Sequence, residues 1–176
     1  MFLDDDPGKK ECGRYRVAGK TSQVSAFPGD LFVAIGNNEI RKRLMEQFSN
    51  RFFPVLIHPN AVIADDVVIG EGTAVMAGAV INSNVVVGKG CIVNTCSSID
   101  HDSVVGDFSH ISVGTHLCGT VIVADRTWVG AGVTVNNNIN ISASCMIGAG
   151  SLVVRDITET GVYIGVPVKK RDGQWT

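Results

Sequence analysis

The dominant pattern in the chain is an aliphatic residue at every sixth position. Starting at Ile63 it runs through Ile69, Val75, Ile81, Val87, Val93, Ile99, Val105, Ile111, Leu117, Val123, Val129, Val135, Ile141 and Ile147 to Val153 without a break. Two places before each stands a small or β-branched residue: Ala61, Val67, Thr73, Ala79, Val85, Cys91, Ser97, Ser103, Ser109 and onward. A strict period of six matches neither the 3.6-residue period of a helix nor antiparallel strands, whose turn signals do not recur here. It fits a triangular prism of short parallel strands, with one hexapeptide per face and eighteen residues per coil. The aliphatic side chain fills the interior, the smaller residue fits near it, and glycine or asparagine eases each corner.

The expected fold is therefore mainly β: a left-handed parallel β-helix over residues 58–160, a little over five coils long. Residues 161–176 form a tail that leaves the repeat and turns back over the last coil. Residues 1–57 read differently, as a small, incomplete α/β domain. Leu31–Ile35 is an apolar run with the look of a strand. It ends in Gly36-Asn37-Asn38 and leads into a helical pattern from Glu39 to Phe48, and Val55–Ile57 reads as another strand. Met1-Phe2-Leu3 resembles the end of a strand followed by acidic turn residues.

Composition narrows the function. The chain is 45% hydrophobic and 18% charged with a net charge of -2, so no basic excess points to nucleic acid. No run of eighteen apolar residues would span a membrane, and the acidic start lacks the regions of a signal peptide. The five cysteines, Cys12, Cys91, Cys96, Cys118 and Cys145, contain no C-x-x-C pair. They read as reduced thiols of a cytoplasmic protein, Cys91 and Cys145 being small core residues.

Counting by eighteen places residues one strand spacing apart at the same corner, about 4.8 Å. His101 then lies under Gly119 and is flanked by Asp100 and Asp102. A histidine beside a carboxylate is suited to general-base work, and the N–H of a stacked glycine can bind an oxygen that becomes negative during acyl transfer. The alternative is a surface histidine in a polar loop. His110 and His116 occupy equivalent positions on adjacent faces, but no third histidine matches them, and no metal is expected. Lys169 and Lys170 read either as contacts to a ligand phosphate or as solvated tail lysines.

The segments Asn94–Asp102 and Val105–His110, with Phe2–Asp5, Ala34–Lys42 and Gly161–Pro167, resemble the hexapeptide acyltransferases of nucleotide-sugar pathways. The likeness is to the bacterial UDP-4-amino-sugar N-acetyltransferases of bacillosamine synthesis, in the wider family of the sialic-acid O-acetyltransferases. It implies a homotrimer holding acetyl-CoA in a groove between prisms. It also implies His101 as the base, supported by Asp102, with His110 and Gly119 at the thioester and Ala131 and Ala149 along the pantetheine path. By the same resemblance Asp4, Asp5 and Gly36 hold the UDP-sugar, and Asn94 lies close to the acceptor. The family's glycine-rich phosphate loop would precede Phe2, so the nucleotide site of residues 1–57 is expected to be incomplete. The expected activity is acetyl transfer to the 4-amino group of a UDP-linked amino-dideoxy sugar. Two other readings stand beside it: O-acetylation of a sialic-acid-type sugar, and a trimeric scaffold without catalysis.

Overall fold

In the structure, a computed structural model that describes residues 1–172, the chain divides into two compact units, Met1–Asp30 and the remainder from Leu31 onward. The first unit is a small three-stranded sheet. Phe2–Leu3 pairs parallel with Tyr15–Gly19, which pairs antiparallel with Glu11–Cys12. The hairpin from Glu11 to Gly19 was not foreseen, because its strands alternate too weakly to stand out.

The second unit is the β-helix. Its two-residue strands begin at Leu56–Ile57 and recur every six residues to Leu152–Val153. They stack eighteen residues apart in parallel register, Ile99 on Leu117 and Val105 on Val123 for example. From Ala74–Val75 to Leu152–Val153 the second residue of each strand points inward and is buried; Ile99, Ile111, Val129 and Ile147 are fully inaccessible. The three faces carry eight, six and five strands. For reference below, the first edge joins the eight- and six-stranded faces, the second joins the six- and five-stranded faces, and the third joins the five- and eight-stranded faces.

Three boundaries differ from expectation. Leu56–Ile57 is hydrogen-bonded to Ala74–Val75, so it belongs to the prism and not to a preceding α/β domain. Leu31–Ile35 is not a strand: it is anchored by Leu31 N–H donating to Phe52 O (3.0 Å) and otherwise runs without a ladder partner. The tail does not leave the repeat at Gly161. Val162–Ile164 adds one more parallel rung beside Met146–Ile147, and only then does Lys169–Arg171 return antiparallel.

The small residues inside the prism do more than fill space. Thr73, Ser103, Ser109, Thr115 and Thr127 are buried, and a buried hydroxyl without partners is costly. Thr127 Oγ1 donates to Ser142 O (2.8 Å) and accepts from Cys145 N (3.2 Å). Ser109 Oγ does the same between Ala124 O (3.1 Å) and Thr127 N (3.2 Å). Each such hydroxyl bridges its own coil to the next. Cys91 and Cys145 occupy the same kind of position and are buried; desolvation pushes the Cys91 thiol up to about 12, which makes it inert as a nucleophile.

A ten-residue helix, Asn38–Gln47, is capped by Asn37, whose side chain accepts from Ile40 N (3.0 Å). It packs on the prism near the third edge. Met45 joins Phe53 and Phe108 in a second apolar cluster. Gly90 is necessary there: a Cβ at this position would lie 2.6 Å from the Phe108 ring. Phe108 itself holds a left-handed φ of 57°, unusual for a bulky residue and offset by its burial in the cluster.

The strongest tie between helix and prism is Arg41, 1% exposed. Its guanidinium donates to the carbonyls of Gly90, Ile35 (2.8 Å) and Phe108 (2.8 Å) and to Asn38 Oδ1 (2.8 Å). Among the described residues no carboxylate pairs with it, and burial pushes its pKa down to about 10. Arg41→Met would strand these acceptors in the interior, at a cost of about 2–4 kcal/mol. Urea unfolding should show that loss, with the far-ultraviolet spectrum of the folded state unchanged.

Candidate active site

His101 stands on the second edge, between the strands Ser98–Ile99 and Val104–Val105. Its imidazole is about half exposed, at 54%. Nδ1 lies 2.7 Å from Asp102 Oδ2. A carboxylate accepts, so Nδ1 carries the proton and Nε2 keeps its lone pair. Asp100 on the other side accepts from His101 N (2.8 Å). The two carboxylates raise the histidine's pKa above its ordinary value, the Asp102 hydrogen bond first and the Asp100 charge second.

Both carboxylates are held from the coil beneath. Asn84 Nδ2 donates to Asp102 Oδ1 (2.6 Å) and Asn82 Nδ2 to Asp100 Oδ1 (2.8 Å). These hydrogen bonds lead the effects that lower the pKa of each acid. Neither asparagine was singled out from sequence, although subtracting eighteen from 100 and 102 would have found both.

Above His101 lies Gly119, as counting by eighteen predicts. Thr120 N donates to His101 O (2.9 Å) and fixes the stacking. A Cβ on Gly119 would sit 2.6 Å from His101 Nε2. The missing side chain therefore opens the space in front of the free nitrogen. The Gly119 N–H has no hydrogen-bond partner among the described residues and can serve a ligand.

The remaining residues are not on this edge. Asn94, Ala131 and Ala149 lie on the first edge, where Gly150 N donates to Ala131 O (2.8 Å) and stacks the two alanine corners; both alanines are exposed. His110 is on the eight-stranded face and is buried, stacked on Trp128 with ring centroids 5.0 Å apart. Its Nε2 lies 3.2 Å from Asn94 Nδ2, and its Nδ1 has no hydrogen-bond partner among the described residues. Burial, then the charge of Arg41, pushes its pKa down to about 4. His110 is thus neutral near physiological pH and no companion proton carrier for His101.

Asp4 and Asp5 belong to the first unit, where both are engaged locally. Asp4 pairs with Lys9 (3.0 Å), and Asp5 accepts from Thr21 Oγ1 (2.6 Å) and Thr21 N (2.9 Å). Gly36 belongs to the second unit, its carbonyl accepting from Arg41 (3.1 Å). His116 bonds Ser98 Oγ (2.8 Å) on the six-stranded face, and among the described residues no group of metal-ligating side chains occurs. Lys170 is paired with Glu159 (2.7 Å). No helix of the described residues is long and apolar enough to cross a membrane.

Comparison with known proteins agrees with this architecture. Residues 1–48 match the model of the PglD N-terminal domain. UDP-N-acetylbacillosamine N-acetyltransferase of Bacillus subtilis is 39% identical over 82 residues; the match spans 43% of this chain and only 38% of that protein. The acetyltransferase domain of PglB from Neisseria gonorrhoeae, also solved with acetyl coenzyme A, superposes with a TM-score of 0.92. It is 34% identical, over 97% of this chain and 86% of that one. PerB from Caulobacter crescentus, solved with CoA and GDP-perosamine, gives a TM-score of 0.89 at 35% identity, over 96% of this chain and 83% of that one.

His101 and His110 should behave oppositely in a proton NMR titration. His101 should titrate above the ordinary midpoint of 6.5, while His110 keeps the shifts of a neutral ring until the pH approaches about 4. Because the unfolded chain binds a proton at His110 more readily than the folded one, stability should fall as pH drops from about 6.5 toward 4. Replacing His110 with phenylalanine should flatten that part of the stability curve.

Proposed function

Since this chain belongs to the hexapeptide-repeat sugar N-acetyltransferases of the PglD and PerB type, we propose that it moves the acetyl group of acetyl-CoA onto an amino group of a nucleotide-linked sugar. The acceptor in this reading is the 4-amino group of a UDP-linked amino-dideoxy sugar. The observation that carries it is His101: an Nε2 lone pair, set by the Asp102 hydrogen bond and facing the gap left by Gly119. In this reading the thioester end of acetyl-CoA enters that gap, which a side chain at 119 would fill.

In the reaction the neutral amine bonds to the acetyl carbon and the carbon–sulfur bond breaks. His101 Nε2 takes the proton that the amine sheds, and Asp102 steadies the imidazolium that results. The Gly119 N–H donates to the carbonyl oxygen as it becomes negative. The proton then leaves with the thiolate, which departs as CoA–SH.

The same reading makes the protein a cyclic trimer. His101 and Gly119 lie on one edge of the prism, and Asn94, Ala131 and Ala149 on another. A site drawing on both edges needs two copies, and a head-to-tail arrangement of this kind closes into a ring. Beside the His101 edge, the five-stranded face presents Val68, Val86, Val104 and Ile122 to solvent, at 60%, 42%, 37% and 44% exposure. A second copy would cover this stripe.

His101→Ala should lower kcat about 10²- to 10⁴-fold while the protein keeps its fold and its oligomeric state; turnover near wild type would remove His101 from the mechanism. In wild type, kcat/KM should fall on the acid side with a midpoint above 6.5, because the base works only when unprotonated. Asp102→Asn should move that midpoint down. CoA release measured over a panel of amino and hydroxy sugars decides the acceptor, and faster release with hydroxy sugars would favour O-acetylation. Ile122→Glu should lower the mass seen by sedimentation and abolish turnover; an active monomer would overturn the shared site.

A further inference from the structure

Three neighbouring coils meet at the His101 edge, and the lowest has no part in the chemistry described so far. Asn84 lies directly beneath Asp102 with φ 58°, a left-handed conformation that asparagine tolerates better than most residues. Its backbone N donates down to Asp66 Oδ2 (3.0 Å), an oxygen that also accepts from Ser83 Oγ (2.7 Å). Its side chain donates up to Asp102 Oδ1 (2.6 Å). The acceptor is a carboxylate, so the amide must present its NH2 and has one productive orientation. Asp102 thus has one oxygen fixed from below and the other on His101 Nδ1. Asn82 repeats the arrangement with Asp100, whose Oδ1 also accepts from His101 N.

We propose that Asn84, and with it Asn82, are positioning residues for His101: from the coil beneath, their side-chain amides hold the two carboxylates that hold the imidazole. A freely rotating aspartate on an exposed edge would spend much of its time turned toward water. The amide keeps Asp102 aimed at Nδ1, which in turn keeps the lone pair on Nε2 and the ring directed at Gly119. The groups facing His101 are few. Asp100 and Asp102 flank it, neutral Asn82 and Asn84 lie below with Asp66 one coil further down, and Gly119 lies above, flanked by Cys118.

The inference rests on His101 acting as the base, and the test separates the two. Asn84→Gly removes the amide while relaxing the left-handed turn, so the coil should still form. Asn84→Asp keeps the shape and the turn preference but offers an acceptor where a donor is needed. Both variants should lose about five- to tenfold in kcat, with KM for acetyl-CoA within about twofold of wild type. In Asn84→Gly the acid-side midpoint of kcat and the NMR titration midpoint of His101 should both move down, toward an ordinary histidine. Asn82→Ala should act in the same direction.

Asn84→Gly with wild-type kcat and an unmoved His101 titration would overturn the proposal. So would a loss of activity that follows thermal unfolding alone, with both midpoints unchanged, since that is the mark of a structural residue. The NMR midpoint needs no turnover. Should His101→Ala prove active, the catalytic reading fails, while a shifted His101 midpoint in Asn84→Gly still establishes the hold on the ring.

Discussion

Everything in the second unit depends on the coil closing in eighteen residues, so that each backbone group meets its counterpart one coil away. A strand of two residues has almost no stability of its own. Here it is stabilised because the next coil repeats it in register, from Leu56–Ile57 upward. Buried hydroxyls tighten the same constraint: Ser109 and Thr127 each donate to a carbonyl of the next coil and accept from an N–H of that same coil. A shift of one residue would turn the aliphatic row outward and leave these hydroxyls unpaired inside. Register is therefore fixed twice, once by apolar packing and once by hydrogen bonding.

The chemistry proposed for the His101 edge is a by-product of that stacking. The aspartates that flank His101 are held from eighteen residues below, and Gly119 lies eighteen residues above it. Asn84 and Asn82 come from one coil, His101 with its two aspartates from the next, and Gly119 from a third. The helix Asn38–Gln47 contributes in another way. It packs near the third edge, with Arg41 buried among carbonyls, while the outward valines of the five-stranded face stay exposed.

The prism was legible in the sequence because a period of six over sixteen positions has no competing explanation, and the stacking of Gly119 on His101 followed from arithmetic. What sequence reading lost were features decided by tertiary partners. Leu31–Ile35 has the composition of a strand but finds no neighbour to pair with. Arg41 sits in the run Arg41-Lys42-Arg43 and looks solvated, yet it is the buried one of the three, since only it reaches the carbonyls of Gly90 and Phe108. His110 occupies the outward position of its strand and is nonetheless buried, stacked on Trp128. Its neutral state is invisible without that packing.

The repeat also bears on how such a chain can change length. Removing one whole coil, eighteen residues of the repeat, would leave a closed prism with its strands still stacked in register and its aliphatic row unbroken. The register of the coils is indifferent to such an edit; the edge is not. Excising residues 68–85 would bring Asp66 directly under Asp102, setting acid against acid where an amide now stands, and excising residues 103–120 would bring Asn137 over His101 in place of Gly119. The solenoid can therefore grow or shrink by whole coils above or below this edge, while the three coils that meet at His101 are bound together as one heritable block.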